Sequence, residues 1–123
     1  MCSENCTTEA VCDVHALVLI KANLAGPIPA ELTLLETLQT FIVYENSLTG
    51  TVPEEIGAMT SLQVFNVSRN LLSGEVFPML QPLPQLVVAS LSDNHFSGSI
   101  PKDISSMAGS LAVLEAFNNS FTG

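Results

Sequence analysis

One short polar phrase closing on glycine occurs five times in this chain, ending at Gly26, Gly50, Gly74, Gly98 and Gly123, and these glycines stand 24, 24, 24 and 25 residues apart. A fixed period of that length marks a solenoid, in which each copy is one coil that buries its apolar side only against its neighbours. Five coils in 123 residues exceed the roughly three that a continuous solenoid core needs. The earlier copies run on past the glycine into Pro27 to Pro29, Thr51 to Pro53 and Ser99 to Pro101, whereas Gly123 stops in mid-phrase, which points to a piece of a longer array.

Aligning the copies on their glycines assigns a task to each position. An apolar pair two residues apart recurs as Leu17 and Leu19, Phe41 and Val43, Phe65 and Val67, Ala89 and Leu91, and Leu114 and Ala116. That spacing turns both side chains to one face of a strand and leaves the residues between them on the other. Leu38, Leu62, Leu86 and Leu111 precede the pairs by three residues. An asparagine then follows at Asn46, Asn70, Asn94 and Asn119, while the first copy carries Ala22 there and Asn23 one place later. An inward amide both donates and accepts, so it satisfies backbone groups of the adjacent coil that a sharp bend would leave buried and unpaired.

Leu24, Leu48, Leu72, Phe96 and Phe121 are expected to point inward next, followed after the glycine by Ile28, Val52, Val76 and Ile100. Pro29, Pro53 and Pro101 end the hydrogen-bonded pairing and stiffen the path onto the back of the coil. In the third copy Phe77 takes that proline slot and Pro78 is displaced by one, yet Leu80 still matches Leu32, Ile56 and Ile104. Leu35, Met59, Leu83 and Met107 are the last inward anchors of the back, too closely spaced for full helices, which predicts 3₁₀ turns or irregular backbone there. The extra residue of the last copy falls between Met107 and Leu111, with Gly109 as the insertion.

Three basic residues against twelve acidic ones give a net charge of −9, the wrong sign for a nucleic-acid partner, whose affinity rests on Lys and Arg. The longest apolar run near the start, Ala16 to Ile20, is far shorter than the roughly 20 residues of a membrane span and follows no basic segment, so neither a signal peptide nor a span is read. Cys2, Cys6 and Cys12 all precede the first repeat, which suits a stapled cap over residues 1–14 ahead of repeats over 15–123, and implies an oxidising compartment. Asn5, Asn66 and Asn118 open the three glycosylation sequons, in keeping with secretion.

The pattern L-x-x-L-x-L-x-x-N-x-L-x-G-x-I-P, carried by Leu86 to Pro101 with Ala89 and Phe96 in two of the leucine slots, resembles the plant-type leucine-rich repeat over about residues 14–123. Cys6 to Pro29 is similar to that family's N-terminal cap running into its first repeat, although the tryptophan usual in such caps is absent. The resemblance implies an α/β solenoid of about five 24-residue coils, with a right-handed arc, a concave parallel sheet, a mostly irregular or 3₁₀ convex side, and extra short strands near the Gly-x-Ile-Pro segments. It implies a binding scaffold, not an enzyme: an extracellular receptor ectodomain recognising a protein or peptide, or alternatively a secreted inhibitor of a wall-degrading enzyme or a surface-structural protein. No cofactor is implied. A Cys6–Cys12 disulfide with Cys2 free or paired elsewhere is the preferred account of the cap, and the other two pairings remain open.

On such a scaffold the function sits on the concave face. The column before the asparagines reads Lys21, Glu45, Arg69, Asp93, Asn118, with charges alternating in sign. It reads either as a ladder of weak surface ion pairs or as a ligand-reading column. The adjacent columns hold Ile20, Tyr44, Ser68, Ser92, Phe117 and Val18, Ile42, Asn66, Ser90, Glu115. Exposed aromatic and apolar residues on a rigid sheet serve as interface anchors, with Tyr44 first among them, and Lys21, Ile42, Glu45, Asn66, Arg69, Asp93 and Phe117 complete the candidate set. This face carries a net −1 and the cap and back −8. A sugar on Asn66 would sit in mid-concavity and obstruct a large partner.

Catalytic and metal readings find little support. His15 and His95 fall in different coils, and Ser92, Asp93 and His95 are triad residue types crowded into one turn, which rarely orients them productively. Cys2, Cys6, Cys12 and His15 match no common zinc-knuckle spacing, so no metal site is assigned.

Overall fold

The computed structural model describes residues 14–102 and 109–122. Cys6 and Cys12, the sequon at Asn5, and the anchors Ile104 and Met107 lie outside those residues. Among the described residues the chain winds through two parallel sheets. One holds β1 (Ala16–Val18), β3 (Thr40–Ile42), β5 (Val64–Asn66), β7 (Val88–Ser90) and β9 (Val113–Glu115), side by side in chain order. The other holds β2 (Ala25–Pro27), β4 (Ser47–Thr51), β6 (Leu71–Glu75) and β8 (His95–Ser97). Parallel neighbours need a long crossover between them, and here each coil supplies it by way of the second sheet and the back.

The two sheets keep different registers. In the first, Phe41 pairs with Phe65 and Phe65 with Ala89, a step equal to the repeat, so equivalent residues stack in straight columns. The longer last copy is absorbed without a break, Ala89 pairing with Leu114. In the second sheet Gly26 meets Leu48, Gly50 meets Leu72 and Gly74 meets Phe96, two residues short of the repeat. A slip of two preserves facing, because side chains alternate with period two. The inward leucine or phenylalanine of one coil therefore lies opposite the glycine of the coil before it.

Between the sheets and the back lies one apolar core. Phe65, Val67, Leu72, Val76, Leu80, Leu86, Leu91 and Phe96 are fully shielded from solvent, with the Phe41 and Phe65 rings stacked at 5.8 Å between centroids. Phe121 of the fifth coil adds its ring against Phe77 of the third at 5.0 Å. The first coil departs from the expected pattern. Leu17 is partly buried but Leu19 is 37% exposed, because β1 has a strand neighbour only on the β3 side among the described residues.

The back is 3₁₀ at Ala30–Leu34 and Glu54–Ala58, each entered through a proline in extended backbone, Pro29 at ψ 138° and Pro53 at ψ 137°. The third coil differs. Val76 enters in the right-handed helical region at ψ −30°, and Phe77–Leu80 closes as a single α-helical turn, α1. The displaced proline is the cause, since Phe77 retains the N–H that a proline would remove and Pro78 occupies the start of the turn.

The bend after each first-sheet strand is held by the recurring asparagine. Asn70 Nδ2 donates to Val43 O in the coil before and to Val67 O in its own coil, both at 3.0 Å, while its Oδ1 accepts from Leu48 N at 3.0 Å. Asn94 repeats the set with Leu72 N, Val67 O and Leu91 O, and Asn119 with Phe96 N and Leu91 O. Asn46 Oδ1 accepts from both Ala22 N and Leu24 N, at 2.9 and 3.1 Å. Each amide thus ties two consecutive coils through groups that have no other means of pairing at a turn.

Asn70 is 5% exposed, so Asn70→Ala leaves buried donors and acceptors bare and lowers the unfolding free energy by about 3 kcal/mol, as urea unfolding will report. Asn70→Asp, which keeps the acceptor but loses both donations, is at least as damaging. Glycine substitutions grade by surroundings: Gly26 at φ +86° has nothing within 4 Å of an added Cβ, whereas at Gly74, φ +78°, the Cβ would lie 2.7 Å from Thr51 Cγ2. Gly26→Ala is expected to cost about 1 kcal/mol and Gly74→Ala about 2 kcal/mol, with Thr51→Ser recovering most of the difference in the same assay.

Candidate functional site on the concave sheet

The first sheet's outer face is the concavity, and its register places Val18, Ile42, Asn66, Ser90 and Glu115 in one row across β1, β3, β5, β7 and β9. The row grades from apolar to acidic. Beside it run Ile20, Tyr44, Ser68, Ser92 and Phe117. Val18, Ile20 and Phe117 are well exposed, Ile42 and Tyr44 half-buried, and Ser68, Ser90 and Ser92 buried. The serines are short, so in the third and fourth coils they form a floor between taller neighbours.

That floor opens an uncovered depression of about 230 Å³. Tyr44 and Arg69 stand at one side, the guanidinium 5.6 Å from the ring centroid, and Glu115 and Phe117 at the other, with Asn66 and Asp93 completing the lining. Hydrogen bonds pin the floor: Ser92 Oγ accepts from Phe117 N at 3.1 Å, Ser90 Oγ donates to Glu115 Oε1 at 3.0 Å, and Asn66 Oδ1 accepts from Ser68 N at 3.0 Å. The structure therefore brings together Tyr44, Asn66, Arg69, Asp93 and Phe117 of the expected set, while Lys21 and Ile42 stand outside the depression and Glu45 touches it only through Arg69.

The charged column is a continuous chain of contacts. Lys21 Nζ lies 3.7 Å from Glu45 Oε2, Arg69 Nη1 3.1 Å from Glu45 Oε1, Arg69 Nε 3.9 Å from Asp93 Oδ2, and Asn118 Nδ2 donates to Asp93 Oδ1 at 2.8 Å. These groups are largely exposed, so each pair stabilises by no more than about 1 kcal/mol. The column has a second property. Lys21, Glu45, Arg69, Asp93 and Asn118 all sit in the left-handed region, at φ 51°, 59°, 58°, 60° and 56°. There the chain leaves the first sheet for the second, with Glu45 N still bonded to Ser68 O and Arg69 N to Ser92 O. Most of these residue types are uncommon in that conformation, so the alternating charges alone do not disclose it.

Two residues outside the expected set, Ser92 and Glu115, also line the depression. The readable signal is the drop in side-chain size along a row from Tyr44 to Ser68 and Ser92, then the return at Phe117. Ser92 Oγ accepts from Phe117 N on the concave floor, while His95 is exposed on β8 of the other sheet, so the two triad residue types are not brought together. His15 Nδ1 is 3.3 Å from Thr37 O in the first two coils. A larger open groove of about 500 Å³ lies on the flank where the α-helical turn replaces the 3₁₀ turn, between Thr51, Glu54, Glu75 and Met79, away from the concave face. Among the described residues no group of His, Cys, Asp and Glu is placed to hold a metal ion, and no helix is long and apolar enough to cross a membrane.

The left-handed backbone gives a way to strip the column without unfolding the coil. Arg69→Gly is expected to leave stability within about 1 kcal/mol of the parent, relief of backbone strain offsetting the lost ion pairs. Arg69→Val, branched at Cβ, lowers it by about 2 kcal/mol, and thermal unfolding by circular dichroism separates the two.

A family model described as Leucine Rich Repeat matches residues 85–107. Among solved structures, the PEPR1–AtPEP1 complex is 37% identical with a TM-score of 0.82 over 88% of this chain, and the chain spans 15% of that protein. The ectodomain of the Arabidopsis receptor kinase HAESA, in complex with an IDA peptide hormone ligand, is 34% identical with a TM-score of 0.80 over 89% of this chain and 18% of its own. A plant ice-binding protein is 34% identical with a TM-score of 0.79, over 89% and 35%. The chain thus spans from 15% to 35% of the length of these three proteins. No curated protein matches the sequence. The repeating asparagine ladder, the paired parallel sheets and these similarities together make the chain a solenoid of leucine-rich repeats like those of the plant-type proteins.

Proposed function

We propose that this chain is the recognition portion of a receptor-like extracellular protein and that it grips a peptide or an extended protein segment across its concave sheet. The observation that carries the reading is the depression between Tyr44 and Phe117. Two aromatic side chains and a stacked guanidinium stand on a sheet whose backbone is already fixed, so a ligand meets anchors of the kind that dominate interface energies without ordering them first. Similarity to the HAESA and PEPR1 complexes supports the choice of a peptide over a small molecule. The extracellular placement draws on the similar ectodomains and on the sequons and early cysteines.

The similarity to an ice-binding protein is not carried over. On the second sheet the cross-strand rows run Pro27–Thr49–Leu71, Thr51–Ser73–His95 and Glu75–Ser97, so the exposed Leu71, Glu75 and His95 interrupt any regular hydroxyl array.

Selection of a random peptide library on the immobilised chain tests the proposal. Enriched peptides should bind Tyr44→Ala at least about tenfold more weakly and be weakened likewise by Arg69→Gly, with circular dichroism unchanged, while Glu31→Ala on the back has no effect. Equal binding to Tyr44→Ala and the parent would move the site off this face.

A further inference from the structure

The depression has an electrostatic imbalance that narrows its ligand. Both cations of the concave face are already engaged: Lys21 with Glu45, and Arg69 with Glu45 on one side, Asp93 on the other and the Tyr44 ring above. Among the described residues, the Glu115 carboxylate meets the Ser90 hydroxyl at 3.0 Å and no cation within 4 Å. It is exposed, and two residues along the same strand path stands Phe117, 59% exposed, with its N–H taken by Ser92 Oγ. An aromatic face and an unneutralised carboxylate therefore border the same space, over a floor of serines. At about 230 Å³ the space is smaller than the roughly 300 to 1,000 Å³ of a small-molecule pocket and suits one long side chain.

Resting on the recognition role proposed above, we infer that the depression selects a cationic side chain of the bound peptide, with arginine preferred. A guanidinium can lie flat on Phe117 while its N–H groups donate to the Glu115 carboxylate, a combination that a lysine ammonium meets only as a point charge. Asp93 lies on the same side of the floor and adds negative potential, its own neutralisation by Arg69 being loose at 3.9 Å. An acidic side chain entering here meets Glu115 and Asp93, so the same groups that favour arginine repel glutamate.

The probe is N-acetyl-arginine N-methylamide, titrated into the isotopically labelled 123-residue chain and followed by amide chemical shifts, beside the glutamine and lysine analogues. Saturable shifts at Ser92, Glu115 and Phe117 are expected for arginine, weaker ones for lysine and none for glutamine. Glu115→Gln should weaken arginine binding about tenfold. Glu31→Gln, which changes the net charge equally at the back, should leave it unchanged. Phe117→Leu should reduce the preference of arginine over lysine, and the variant spectra themselves report that the fold persists. Shifts that do not saturate, that the glutamine analogue reproduces, or that Glu115→Gln leaves intact would overturn the inference. If library peptides still depend on Tyr44 while arginine fails, the recognition role stands and only the cation preference falls. If arginine binds at Glu115 but library peptides ignore Tyr44, the reverse holds.

Discussion

Everything in this molecule hangs on a backbone problem at one bend. Where each coil leaves the first sheet, carbonyls and amides of two adjacent coils turn inward with no strand partner left to meet them. A buried polar group without a partner costs on the order of 1 to 3 kcal/mol, and every coil has several. The carboxamide of Asn70, Asn94 or Asn119 answers with donors and an acceptor on one short side chain. A carboxylate lacks the donors and an ammonium lacks the acceptor. Coils so joined share a core, and the straight columns of the concave sheet follow from that alignment.

The recognition role proposed for the concave face rests on this rigidity. Tyr44, Arg69, Glu115 and Phe117 come from three different coils, with about 70 residues of chain between the first and last. They converge because the first sheet keeps a register equal to the repeat, not because they are near in sequence. The ion-pair column contributes little to stability, but its left-handed residues set the angle at which the chain departs the sheet, so it forms a fixed border to the depression. On the inference drawn above, the acidic surplus at its far side would give the depression a preference of sign.

Much of the fold is readable from one dimension because a repeat states each structural rule several times. Leu38, Leu62 and Leu86 are completely buried as their shared slot predicts, as are the inward Leu72 and Phe96, with Leu48 buried to within 6%. Misreadings cluster where a coil lacks its usual neighbours or residues. Leu19 occupies a core slot yet is partly exposed, since burial of a repeat position depends on a coil on each side. The third coil's α-helical turn follows from a proline one place late, a shift visible in sequence whose effect on Val76 is not.

The sequence alone determined the period, the strand facing, the asparagine and glycine slots and the side chains offered to the concave face, because these depend on residue chemistry and on spacing within a single coil. Only the tertiary structure decided that the second sheet runs two residues short of the repeat, that the charged column is left-handed, and that Ser68 and Ser92 form a floor between Tyr44 and Phe117. Those features depend on how neighbouring coils settle against each other, where the balance among hydrogen-bond geometry, core volume and backbone strain is struck between windings and leaves no mark in any one of them.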